Sequence, residues 1–350
     1  VKTFSMGFTH RRYDESLYAR AVASFLHTDH HHETCTQATM LAAIPELMEL
    51  LDEPLGDPSI VPTYLLSKMT RKYVTVALSG DGGDELFAGY PTYIAHSIAR
   101  VLHHVPGSLH GALGQVSSLF AGALGLLPFM RHTPTMASGD KVRRFFTGMD
   151  HRLARQYINF LGPMHLGDKD KLIIDHQETA LPLVEEFLHG VADLDVQTKL
   201  QYLDLMIYLA EDCLVKVDRA SSYASLEVRV PMLDDHLTNF ALSLPAHFHL
   251  RGWTLKHLLK KAAAGYIPDD IINRPKKGFG IPVNQWLRGA LHPMVTSYLS
   301  PRKLKKQGLF HGPYVESLLG EHMAGRDDHS MTLWNLLIFQ LWYERWMGRL

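Results

Sequence analysis

Ser79-Gly80-Asp81-Gly82-Gly83-Asp84-Glu85-Leu86-Phe87-Ala88-Gly89-Tyr90 is the stretch on which the fold turns. It follows the apolar run Val74-Thr75-Val76-Ala77-Leu78, which has strand length and stops abruptly at Ser79-Gly80. Gly80, Gly82 and Gly83 let the backbone turn sharply and approach a ligand closely. A helix is expected to start at once, so its unpaired N–H groups and positive dipole end would suit phosphate. Asp81, Asp84 and Glu85 would repel bare phosphate. Carboxylates beside a phosphate make sense with Mg2+ between them, so the loop points to Mg-nucleotide chemistry. An acidic, Gly-rich turn that only caps a helix has the same composition.

Upstream of the loop, strand and helix patterns alternate. Residues 2–8 read as a β-branched and aromatic strand, 14–26 as a helix with Leu17, Ala21, Val22 and Phe25 on one face, and 30–35 as a short polar strand. Helices are expected over 37–51 and 63–72. This alternation predicts an α/β fold with a parallel sheet covered on both faces, whose ligand sits at the carboxyl ends of the strands. After Tyr90 the strand signals stop and helical patterns run to the C-terminus, among them 200–209, 254–264 and 331–347. The expected organisation is one catalytic unit, with an α/β nucleotide-binding part over 1–90 and a mainly helical part over 91–350.

The bulk composition narrows the class. A chain of 350 residues that is 46% hydrophobic can bury a large core, and a net charge of -1 gives no footprint for nucleic acid. Cys35 and Cys213 cannot build a disulfide framework, so a cytoplasmic setting is expected. Residues 105–130 contain no Asp, Glu, Lys or Arg, but Pro106, Pro128, Gln115 and the Ser117-Ser118 pair interrupt them. A covered helix is expected there rather than a membrane span. His30-His31-His32 sit on a strand whose side chains alternate in direction, so they are not expected to converge on one metal ion. Opening at Val1 inside a strand, the chain is expected to be a fragment.

Four ordered segments carry a resemblance. The Ser79–Glu85 loop resembles the second signature loop of the glutamine-hydrolysing asparagine synthetases. Tyr13-Asp14-Glu15-Ser16 with Ala19-Arg20 resembles that family's first helix. Val217-Asp218-Arg219-Ala220-Ser221 with Leu226-Glu227-Val228-Arg229-Val230-Pro231 and Leu233-Asp234 resembles its long helical motif, and Arg274-Pro275-Lys276-Lys277-Gly278-Phe279-Gly280-Ile281-Pro282 its late basic loop. The resemblance covers essentially the whole chain and is far more specific than one Gly-rich loop.

It implies the adenine nucleotide alpha hydrolase-like, or ATP-pyrophosphatase, fold. It also implies activation of aspartate by ATP through a β-aspartyl-adenylate, with ammonia supplied by glutamine hydrolysis in a separate N-terminal glutaminase domain. Homodimers occur in the family. By position, Asp84 matches the magnesium–pyrophosphate ligand, Ser79 and Gly80 match nucleotide contacts, and Met6 lies where the adenine packs. Asp81 matches an acidic residue that assists ammonia. Lys256 matches the catalytic lysine, with Lys260 and Lys261 as nearby competitors. Lys277 is a second candidate phosphate contact, or a plain surface-loop lysine. Asp57 and Ser59 lie where the aspartate pocket is lined, or simply form a Pro-bounded turn. Glu227 and Arg229 are expected as an inward-facing ion pair beneath the site.

Two departures stand out. No cysteine here matches the glutaminase nucleophile, and the family's first ATP loop, Ser-Gly-Gly-x-Asp-Ser, occurs nowhere in the sequence. The sheet is therefore expected to lack its first strand, and the chain alone is expected to be inactive. Ser222-Tyr223 stands where relatives usually carry Met and Ala. The competing readings are an amidotransferase or β-lactam-synthetase-like enzyme acting on another carboxylate, and a non-catalytic binding fragment.

Overall fold

The β-branched and aromatic run at the N-terminus forms strand β1, Lys2–Phe8, which pairs in parallel with β2, Asp29–Cys35, in the register Met6↔Glu33. A parallel pair needs a crossover, and helix α1, Ser16–Phe25, supplies it. Asp14 ties strand to helix: its Oδ1 accepts from Phe8 N at 3.2 Å and Ser16 N at 3.1 Å, and its Oδ2 accepts from Ser16 Oγ at 2.8 Å. The histidine run alternates as a strand dictates. His30 Nε2 and His32 Nδ1 both lie against Ser5 Oγ, at 3.0 and 3.1 Å, while His31 stacks on Tyr73 with ring centroids 3.9 Å apart. Helices α2, Gln37–Leu50, and α3, Ile60–Arg71, follow, with Thr36 capping α2 through a 3.1 Å bond from Thr39 N.

This computed structural model describes residues 1–103, 138–175, 177, 178, 180–276 and 278–348. The uncharged 105–130 stretch lies outside them. Among the described residues, no helix is long and apolar enough to cross a membrane.

The fold is mixed α/β and rich in helix, but its parallel pairing differs from the single covered sheet expected. Two separate two-stranded sheets are present among the described residues, β1-β2 and β3-β4. Strand β3, Val76–Leu78, pairs in parallel with β4, Glu227–Arg229, and Thr75 O and Ser79 N extend the ladder through 2.9 Å bonds to Glu227 N and Arg229 O. Strand β4 lies where only helical pattern was read, because three residues are too few to show a period of two. Val76 and Leu78, 39% and 72% exposed, are not buried as their apolar run suggested. Glu227 and Arg229 do pair, at 2.8 Å, but their side chains are 56% and 65% exposed, so the pair faces outward and does not support a buried site.

The chain divides into two compact units. One gathers Val1–Tyr90 with Asp204–Ile281 and Arg345–Leu350; the other holds Pro91–Leu203 and Pro282–Glu344. In the first, helix Val215–Tyr223 packs on α3, and Leu86, Phe87 and Ala241 form a buried cluster beneath the acidic loop, flanked by Met232, Leu233, Leu258 and Leu259. The helical pattern read over 200–209 is an α-helix only to Leu203; Asp204–Leu214 is a π-helix. Long π-helices are rare and concentrate near functional sites.

Candidate active site

The acidic loop is built by its glycines. Gly82 has φ +84°, and a Cβ there would lie 2.3 Å from Leu233 Cδ2, so only glycine fits the turn that starts helix α4, Gly83–Leu86. The turn presents Asp84 to two cations at once. Lys256 Nζ lies 3.0 Å from Asp84 Oδ1, and Lys276 Nζ donates to Asp84 Oδ2 at 2.9 Å. The carboxylate side chain is only 20% exposed. Burial alone would raise its pKa, but Lys276 and Lys256 outweigh burial and hold it below the usual carboxylate range. Lys276 also sits 5.6 Å from the centre of the Tyr90 ring.

Two backbone features hold this triad. Lys256 has φ +52° immediately before helix His257–Ala263, a left-handed conformation that is costly for a residue with a side chain. Gly89 N donates to Asp84 O at 2.7 Å. A Cβ on Gly89 would lie 2.0 Å from Asp84 Oδ1 and 2.3 Å from Lys256 Cε, so the ion pair is seated directly on that glycine.

Behind Asp84 the polar groups turn inward. Glu85 is 2% exposed and accepts from Tyr90 Oη, and burial pushes its pKa up. Tyr208, on the π-helix, packs edge-on against Tyr90. On the same helix, burial and then the neighbouring Asp57 push Asp212 up to about 6, against the lowering effect of Lys216. Asp57 Oδ2 accepts from Lys216 Nζ at 2.7 Å and from Ser59 Oγ at 2.8 Å, while its Oδ1 accepts from Ser59 N at 2.8 Å. Asp57 thus meets both Ser59 and Lys216 just ahead of α3.

The remaining sequence-derived candidates separate. Ser79 Oγ donates to Asp81 Oδ2, so these two are coupled on the outer side of the turn. Gly80 is exposed, with open space where a Cβ would be. Met6 is buried in β1 and lines a cavity of about 410 Å3 with Phe4, Phe8, Tyr13 and Arg274. Lys277 lies outside the described residues. Among the described residues, Lys276 of the same loop lies on Asp84, a contact that sequence reasoning passed over. Gly89 and Tyr90 close the motif, and their roles were not read from it.

A divalent cation fits this residue set. Asp84 Oδ1 is buried and, despite its 3.0 Å ion pair, makes no well-directed hydrogen bond, so it keeps a lone pair for a hard cation. Two lysines able to take phosphate oxygens stand beside it.

A sequence model of the asparagine synthase family matches residues 1–344, and this chain belongs to that family. Asparagine synthetase [glutamine-hydrolyzing] 1 of Bacillus subtilis is 28% identical over 349 residues, which is 98% of this chain and 52% of that protein. A putative asparagine synthetase [glutamine-hydrolyzing] of Mycobacterium bovis is 32% identical over 342 residues, 97% of this chain and 50% of that protein. Amidase chry2 of Gibberella zeae is 22% identical over 311 residues, 84% of this chain and 45% of that protein. The chain spans about half the length of the relatives it matches.

Proposed function

We propose that this chain carries the ATP-dependent amidation of aspartate to asparagine. The observation that carries the reading is Asp84 held between Lys256 and Lys276 at the mouth of a strand–Gly turn–helix. Each cation meets one carboxylate oxygen, so an incoming polyphosphate finds both ammonium groups already gathered. In the reaction, an oxygen of the substrate's side-chain carboxylate attacks the α-phosphorus of ATP, and pyrophosphate leaves. Negative charge grows on the α-phosphate and the leaving group, where fixed ammonium groups stabilise the transition state more than the ground state. Ammonia then attacks the carbonyl carbon of the β-aspartyl-AMP, AMP leaves, and the nitrogen gives up a proton. Asp81, aligned by Ser79, is the acid–base group we assign to that step. Asp84 would hold Mg2+, which when bound neutralises the polyphosphate. Ser79 and Gly80 contact the nucleotide, and Met6 packs against the adenine. Lys277 is kept as a second phosphate contact. Asp57 and Ser59 shape the aspartate pocket through Lys216.

The names of the relatives support glutamine as the ammonia source, hydrolysed by a glutaminase domain. The parallel pairs β1-β2 and β3-β4 support an ATP-pyrophosphatase sheet, to which we expect a further strand carrying the family's first ATP loop to belong. Turnover is expected to need that strand and its Ser-Gly-Gly-x-Asp-Ser loop. Free, buried Cys35 and Cys213 suit a reducing cytoplasm, and a homodimer is the assembly we expect from the family. A second reading, amide formation on another carboxylate, is favoured by the amidase among the relatives. Pyrophosphate release from Mg-ATP with a panel of carboxylates and ammonium, measured on the polypeptide extended upstream to carry the Ser-Gly-Gly-x-Asp-Ser loop, separates the two. Release restricted to aspartate supports asparagine synthesis; release with another acceptor alone moves the chain to the second reading.

A further inference from the structure

The second compact unit contains a cavity that the proposed reaction does not use. Helix Ser138–Gly148, the turn before helix Leu166–Leu172, and the segment joining helices Gly312–Met323 and Ser330–Trp346 enclose about 270 Å3. That volume lies just below the range for drug-sized ligands and suits a metabolite of a few heavy atoms.

Its wall carries both signs of charge. Arg144 lines one side; its guanidinium donates to Gly162 O at 2.8 Å and, among the described residues, makes no ion pair. His165 stands beside it, with Nε2 3.0 Å from Thr147 Oγ1 and a buried Nδ1 that has no partner. Burial, and then the nearby Arg144 charge, push His165 below its ordinary value, so the ring is neutral at pH 7 and can accept or donate. On the other side lies Asp328, whose Oδ1 accepts from Ser330 N at 3.0 Å and lies 3.7 Å from His322 Nδ1. The side chains of Ser330 and Asn284 also bond to this carboxylate, and its negative charge supports the positive charge of Arg144. Met164, Leu318 and Met331 supply the apolar part of the lining.

The neighbouring acids do not call for a metal. Glu321, Asp327 and His329 gather within 4.8 Å, but His329 Nε2 is 2.8 Å from Glu321 Oε2 and Arg143 is bound to Asp327. Their oxygens already have partners in His329 and Arg143. The remaining donors of Arg144 and the Nδ1 of His165 have no partner among the described residues, and carboxylates on the same wall would repel a phosphate.

We propose that this cavity binds a free α-amino acid, with its carboxylate on Arg144 and its ammonium toward Asp328. A small zwitterion meets the Arg144 guanidinium, which has no ion-pair contact among the described residues, without adding net charge beside the acids. The site is independent of Asp84 and of the reaction proposed above.

The test measures thermal shift and then calorimetric titration of the chain with each of the twenty L-amino acids at pH 7, with propionate and inorganic phosphate as controls. At least one amino acid is expected to bind saturably, to the parent and to Asp84→Asn alike. Arg144→Gln should weaken it roughly tenfold or more, the scale of a lost charge-assisted hydrogen bond. Met164→Trp, which fills the cavity without touching its charges, should abolish it even if Arg144→Gln fails to fold. Binding of an amino acid other than aspartate or asparagine, which the proposed reaction site would take, that survives both variants, binding of phosphate or propionate at the same strength, or no binding of any other amino acid would overturn the proposal.

Discussion

Replacing Gly89 by alanine tests whether the site depends on the seating of Asp84. The φ of Gly89 is outside the left-handed region, so the backbone itself accepts alanine. The damage comes from the added methyl, which would lie 2.0 Å from Asp84 Oδ1, 2.8 Å from Asp84 Cγ and 2.3 Å from Lys256 Cε. Comfortable heavy-atom contacts need about 3.5 Å, so the carboxylate and the lysine must each retreat by roughly 1 Å or more. Both atoms end flexible side chains, so the retreat is available without unfolding the turn. It breaks the 3.0 Å pair with Lys256 and strains the 2.9 Å pair with Lys276. A misplacement of about 1 Å at a reacting centre costs on the order of 100-fold in rate, or about 2.7 kcal/mol of transition-state stabilisation. The assay, made on the polypeptide extended upstream to carry the Ser-Gly-Gly-x-Asp-Ser loop, is ATP- and acceptor-dependent pyrophosphate release, with circular dichroism to confirm folding. Gly80→Ala is the matched control, because nothing lies within 4 Å of a Cβ there and the fold should be unchanged. A Gly89→Ala protein within about threefold of the parent would refute the seating argument, since the expected loss is far larger.

In the same extended polypeptide, Lys276→Ala should lower kcat for pyrophosphate release by roughly 100- to 1,000-fold, as for loss of one fixed electrostatic contact, and steady-state kinetics would check it. Gly82→Ala should destabilise the chain by about 1–3 kcal/mol through its left-handed φ alone, with the Leu233 clash adding to it; denaturant unfolding would show this. Tyr90→Phe leaves Glu85, 2% exposed, without its hydroxyl donor, and the same measurement should register a loss of about 1–3 kcal/mol. Asp212 is raised from 3.8 to about 6 in the fold, so the folded chain holds the proton more tightly than the unfolded one. Stability should therefore fall as pH rises from 3.8 to about 6 and then level off. Asp212→Asn should be more stable than the parent at pH 7, with the advantage gone below pH 3.8. Unfolding curves across pH that show no such convergence would remove Asp212 from the account.

The parts of the fold that were legible in the sequence are those with local signals. Strand β1 runs from Lys2 to Phe8 as its β-branched pattern dictates, and α1 and α2 begin and end within two residues of their apolar periodicity. Strand β4 was not legible because its three residues are defined by the bonds that β3 offers, which is a long-range fact. The same holds for the Glu227–Arg229 pair: adjacency on one strand face was readable, but the direction of that face was not. At the site, the Gly and Asp spacing announced the turn and Asp84, since the chemistry of that turn is local. The contact of Lys276 with Asp84 depends on how a loop 192 residues away in sequence folds back, which no local pattern announces. Asp57 and Ser59 were found as a pair, but their partner Lys216 is supplied by a helix 159 residues further along the chain.

The most direct test of the central claim is aspartate-dependent pyrophosphate release from Mg-ATP and ammonium. It is made on the polypeptide extended upstream so that a Ser-Gly-Gly-x-Asp-Ser loop precedes β1, with Asp84→Asn alongside. Asp84 is expected to be indispensable: release should require aspartate and should fall at least about 100-fold in the variant. Equal release from parent and variant, or no release from the parent with any carboxylate acceptor, would contradict the account.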